Sequence, residues 1–128
     1  MGLVVIERCT DYDDERVYNT VCRAVDRLGG IEKYIKQGMR VALKPNLVKK
    51  KNPGEAATTH PSVVKAVARL VREAGGIATI VESPGGFFTL TSLKSVYSVC
   101  GNEKAAMEAG AELNYNLYEV DVENPEGM

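Results

Sequence analysis

The chain predicts an α/β fold built on a mostly parallel sheet, and two observations carry that reading. Short β-branched runs alternate with stretches whose apolar residues recur at helical spacing, and glycine pairs at Gly29-Gly30 and Gly75-Gly76 stop two of the helical stretches. Leu3–Glu7 is the first such run and predicts a buried parallel strand. Val17, Val21, Ala24, Val25 and Leu28 then repeat at helical spacing. Residues 31–36 predict a short helical turn closed by Gly38, and 40–44 a second strand. Val63, Val64, Val67, Leu70, Val71 and Ala74 form one apolar helix face. Residues 77–81 predict a third strand, and 91–110 one or two helices interrupted at Gly101-Asn102. Residues 113–122 alternate loosely and predict a fourth strand. Right-handed crossovers between parallel strands turn this order into a three-layer α/β/α architecture, doubly wound and Rossmann-like, with about four strands.

Composition narrows the class. The 128 residues, 45% hydrophobic and 26% charged, suit one globular domain over 1–128. Sixteen basic and seventeen acidic residues are mixed along the chain for a net charge of −1, which supplies no general attraction to nucleic acid or anionic membrane. No apolar stretch approaches a membrane span of ~20 residues, and Met1-Gly2-Leu3-Val4 shows no signal-peptide pattern, so the expectation is a cytoplasmic protein. Cys9, Cys22 and Cys100 are too far apart in sequence to match zinc or iron–sulfur spacing. Cys22 reads as a small core residue, and Cys9 as a thiol at the end of the first strand. The tail from Asn124 to Met128 reads as an exit into a loop, which suggests part of a larger protein.

Polar chemistry gathers where strands stop and helices start, the edge on which open α/β sheets bind ligands. Pro45 ends the second strand and leaves Lys44 extended beside Asn46, a cation next to an amide that can both donate and accept. Lys49-Lys50-Lys51 continues into the turn signature Asn52-Pro53-Gly54, and such a triplet reads first as a solvated loop. The whole connection is about fifteen residues, where two to six are usual, which favours a mobile cover. Thr58 and Thr59 lead to His60 and Pro61 at a helix start, where free N–H groups and the helix dipole attract anions. His60 is the only histidine, so any imidazole base must be this one, and a metal site is not expected from a single imidazole. Glu82-Ser83-Pro84-Gly85-Gly86 follows the third strand; its glycines let backbone approach a ligand, while its plain alternative is a turn with Glu82 paired to Lys44. It matches neither a dinucleotide fingerprint nor a phosphate-binding P-loop nor a nucleophile elbow. Phe87 and Phe88 read as a hydrophobic cover.

Taken together, LGG, KPNLV, AATTHPSVVKAVARLVREAGG and ESPGG, spread over about residues 29–86, resemble the amino-terminal part of the DUF362 family. The resemblance implies an uncharacterised domain of iron–sulfur cluster-binding proteins, with Lys44, His60 and Glu82 as candidate catalytic groups. Asn46, Thr58, Thr59, Ser83, Gly85 and Gly86 become candidate ligand-binding residues. It implies no cofactor in this chain itself, since a 4Fe–4S cluster would sit in a further carboxyl-terminal segment or in a ferredoxin-like partner. The expected partner is a small anionic molecule, with homo-oligomerisation or a ferredoxin-like protein as the macromolecular options. Two functions stand side by side: the ligand-binding portion of an iron–sulfur or redox-associated protein, and a non-catalytic anion- or nucleotide-binding module that works through assembly.

Overall fold

A computed structural model describes residues 2–86 and 88–118. The elements in chain order are α1 (Asp14–Arg27), β1 (Arg40–Leu43), α2 (Pro61–Glu73), β2 (Ile77–Ile80), α3 (Leu90–Val99), α4 (Asn102–Ala109) and β3 (Glu112–Leu113). Single 3-10 turns sit at Ile31–Lys33 and Pro53–Glu55. Helices α1, α2 and α3 start where the sequence supplies a side-chain cap. Asp13 accepts the Arg16 N–H at the start of α1, and Thr89 accepts the Ser92 N–H at the start of α3. At the end of α2, Gly75 takes φ +83, and the Gln37 side chain occupies the space that a Cβ would need.

The sheet is parallel in the order β1-β2-β3, with Arg40 opposite Ile77, Leu43 opposite Ile80, and Ile80 opposite Leu113. Ala78 and Ile80 point to one face and are buried there. Ala78 packs with Ala68 and Val71 of α2. Ile80 packs with Val64 of α2, with Leu93, Val96 and Tyr97 of α3, and with Ala106 of α4. Burial at this seam makes Ile80 the pivot of the core, and truncating such a residue costs about 2–5 kcal/mol. Helix α1 packs against α2 rather than on the strands.

Three expectations change. The run Leu3–Glu7 forms no strand: residues 2–10 carry no regular secondary structure, and Leu3, Val4 and Ile6 are 69%, 79% and 86% exposed. Its composition favours extended backbone, but a strand also needs a ladder partner. Here Val5 and Glu7 are half-buried, and the Glu7 carboxylate is engaged by α1, 3.4 Å from Arg23 and 3.0 Å from Arg27. The sheet therefore has three strands among the described residues, not about four. Nor is it a doubly wound three-layer sandwich within those residues: α2, α3 and α4 share one face, while Arg40, Ala42 and Ile77 on the other are exposed. Finally, the strand expected over 113–122 shortens to Glu112–Leu113; residues 114–118 are irregular and 119–122 lie outside the described residues. The helical stretch 91–110 does divide at Gly101, where φ is +79.

Candidate functional site

The residue types singled out at the strand ends fall into three places rather than one, and His60 stands apart from all three. The first is the pair at the ends of β1 and β2. Lys44 Nζ lies 3.0 Å from Glu82 Oε1 and 2.7 Å from Oε2, and the Ser83 N–H donates to Oε1 at 3.1 Å. Parallel pairing of β1 with β2 causes this, because the Val81 N–H donates to the Leu43 carbonyl and brings the next residue of each strand side by side. The Lys44 charge is thus already offset by a carboxylate. A groove of about 280 Å3 lined by Lys44, Pro45, Thr59 and the apolar Ala42, Val63 and Val67 lies beside it.

The second place is the base of the long loop. The Thr59 N–H donates to the Asn46 carbonyl at 2.8 Å, and the Asn46 N–H donates to Thr59 Oγ1 at 2.8 Å. A Leu47–Thr58 bridge continues this closure, and Leu47 is buried in the core. Asn46 and Thr59 therefore tie the loop, and the Thr58 hydroxyl is buried without a partner. Farther along, Asn52 and Glu55 cap the Pro53 turn reciprocally, and Lys51 pairs with Glu55 at 2.5 Å. The expected mobile cover is a loop pinned at its base and folded in its middle.

His60 faces another way. Its Nδ1 accepts the Ser62 N–H at 3.2 Å as the cap of α2, and its ring stacks on Tyr12 with centroids 3.8 Å apart. Ser62 Oγ closes this knot by donating to the Tyr12 carbonyl at 2.9 Å. Burial holds the imidazole below the usual histidine pKa, opposed by the nearby charge of Asp14. No hydrogen bond or ion pair joins His60 to Lys44 or Glu82 among the described residues.

The third place joins loops that the sequence separates by more than thirty residues. The Gly85 N–H donates to the Val48 carbonyl at 3.0 Å, and a Cβ on Gly85 would stand 3.1 Å from that oxygen. This stitch sets Gly85 and Gly86 beside Lys49 and Lys50, over the first turns of α3. Together they line a cavity of about 650 Å3 that also presents Thr89, Thr91, Ser92 and Ser95. Two ammonium groups, several hydroxyls and a helix N-terminus can together offset and hydrogen-bond an anion. Sequence reasoning placed the lysines in solvent and passed over the hydroxyls. The available signal was Thr89-Leu90-Thr91-Ser92, a helix cap followed by further hydroxyls. Phe88 packs against the core below, whereas Phe87 lies outside the described residues.

The donor set of this chain does not fit a four-thiolate iron–sulfur cluster. It holds three cysteines; Cys9 is exposed, Cys100 is buried with its thiol directed at the Lys49 carbonyl, and Cys22 lies between those extremes. Among the described residues no three His, Cys, Asp or Glu side chains come together as metal ligands.

A small parallel α/β sheet with polar loops at its strand ends is the class defined by fold and site. Comparison with known families narrows it: the family described as Domain of unknown function (DUF362) matches residues 41–128, and the chain belongs to that family. It is similar to the "Thylakoid-associated protein sll1697" of Synechocystis sp. (strain ATCC 27184 / PCC 6803 / Kazusa), 40% identical over 81 residues. Those residues are 63% of this chain and 25% of the relative, so the match spans about a quarter of that protein's length. No solved structure matches.

Proposed function

We propose that this chain is the ligand-binding portion of a DUF362 protein, and that it holds a small anionic molecule at the carboxyl ends of the strands. The single observation that supports this most is the 650 Å3 cavity, where Lys49 and Lys50 meet Gly85, Gly86 and the hydroxyls of α3. Among the described residues Lys49 and Lys50 have no carboxylate within ion-pair distance, whereas Lys44 is engaged by Glu82. The anion is therefore assigned to the lysine pair of the loop, with Ser83 and Asn46 as polar neighbours on the same strand ends. In this reading Glu82, held by Lys44, is the candidate proton acceptor. His60 offers only Nε2, because Nδ1 caps α2.

Redox chemistry in this reading belongs elsewhere, with a 4Fe–4S cluster on a carboxyl-terminal segment or a ferredoxin-like partner. The location remains cytoplasmic. Thylakoid association, if carried over from the Synechocystis relative, is peripheral in this reading; among the described residues no helix is long and apolar enough to cross a membrane. The second function, a non-catalytic module that works through assembly, draws its support from the exposed apolar side chains of Leu3, Val4 and Ile6.

A thermal-shift series with phosphate, nucleotides and small carboxylates tests the proposal. A ligand at 100 times its Kd raises stability by about 2.7 kcal/mol, which is readily seen. Stabilisation by one anion class, lost in Lys49→Ala/Lys50→Ala, is the expected result. No stabilisation by any of them contradicts it.

A further inference from the structure

We propose that two copies of this chain associate edge to edge, the extended segment Leu3–Glu7 of each copy pairing with the outer edge of β1 in the other. Both halves of that contact lie on every copy and do not meet within one. Arg40–Leu43 bonds to β2 on one side only, so its other row of backbone N–H and C=O groups has no strand beside it among the described residues. The apolar groove of Ala42, Leu43, Val63 and Val67 adjoins that row. Leu3–Glu7 is its complement: β-branched, without a ladder partner, and with Leu3, Val4 and Ile6 turned to solvent. Three large apolar residues so exposed within four positions are uncommon on a monomer surface, and exposed apolar patches mark association sites.

The occupant is a second copy because the chain carries a donor segment and an acceptor edge, and a two-fold axis satisfies both pairs at once, closing the assembly. Within one copy the segment's inward side is already committed, since Glu7 lies against Arg23 and Arg27 of α1. In the antiparallel sense Ile6 lies beside Val41 and Val4 beside Leu43, apolar against apolar.

Sedimentation velocity over a wide concentration range tests this in the intact chain. The wild type is expected to sediment as a dimer, and Ile6→Lys as a monomer with unchanged far-UV circular dichroism. In a Cys9→Ser background, mixing Ile6→Cys with Val41→Cys protein is expected to give a disulfide-linked heterodimer under mild oxidation. A wild type that stays monomeric at hundreds of micromolar overturns the proposal. So does a dimer that Ile6→Lys leaves intact, or a double variant Ile6→Cys/Val41→Cys that closes its disulfide within one chain. These outcomes are independent of anion binding, which the thermal-shift series reads separately.

Discussion

Lys44 and Glu82 form an asymmetric ion pair at the ends of β1 and β2: the ammonium side chain is 69% exposed, while that of the carboxylate is 6% exposed. The pair thus anchors a buried anion with a solvated cation. Removing the cation leaves the carboxylate short of one strong partner in a desolvated place. Lys44→Ala is expected to cost about 1–2 kcal/mol, below the range for fully buried pairs because water still reaches the lysine. Urea unfolding checks this, and the loss should shrink when Glu82→Ala is already present. Phosphate affinity should stay close to wild type in Lys44→Ala, since this lysine is not assigned to the anion.

His60 makes stability depend on pH. Burial holds its folded-state pKa below the unfolded value of about 6.5. The unfolded chain then binds more protons as the pH falls, so this contribution is fully present above about pH 6.5 and is lost on acidification towards the lower folded value. Protonation at Nδ1 also removes the acceptor for the Ser62 N–H. The unfolding midpoint followed between pH 8 and pH 5 should fall on the acid side. His60→Asn, which keeps a cap without the titration, should flatten that part of the profile.

Gly101 joins α3 to α4 with φ +79, and a Cβ there would stand 3.0 Å from Pro61 Cγ at the start of α2. Strain and crowding act together at this corner. Gly101→Ala is expected to destabilise by about 1–3 kcal/mol, seen as a melting temperature lower by several degrees. An unchanged melting temperature would show that the corner relaxes freely.

The helices and the central strand were legible in the sequence because their signals are local. Asp13, Pro61, Gly75 and Gly101 set helix boundaries through backbone chemistry that needs no distant partner. Leu3–Glu7 was misread because an extended apolar run specifies a conformation, whereas a ladder needs a second edge. The site divides in the same way. The Lys44–Glu82 contact was visible as the plain alternative, since both residues directly follow parallel strands. The meeting of Lys49 and Lys50 with Gly85 and Gly86 depends on the Gly85–Val48 hydrogen bond, which no local pattern announces. His60 was grouped with Lys44 by its place at a helix start, yet its stacking on Tyr12 assigns the ring to the α1–α2 side.

The most direct test of the anion site is a titration of the labelled protein with inorganic phosphate, following backbone amide resonances. The account predicts saturable shifts at Lys49, Gly85, Gly86 and Ser92, abolished by Lys49→Ala/Lys50→Ala. Shifts confined to Lys44, Thr59 and His60, or none at tens of millimolar phosphate, would contradict it.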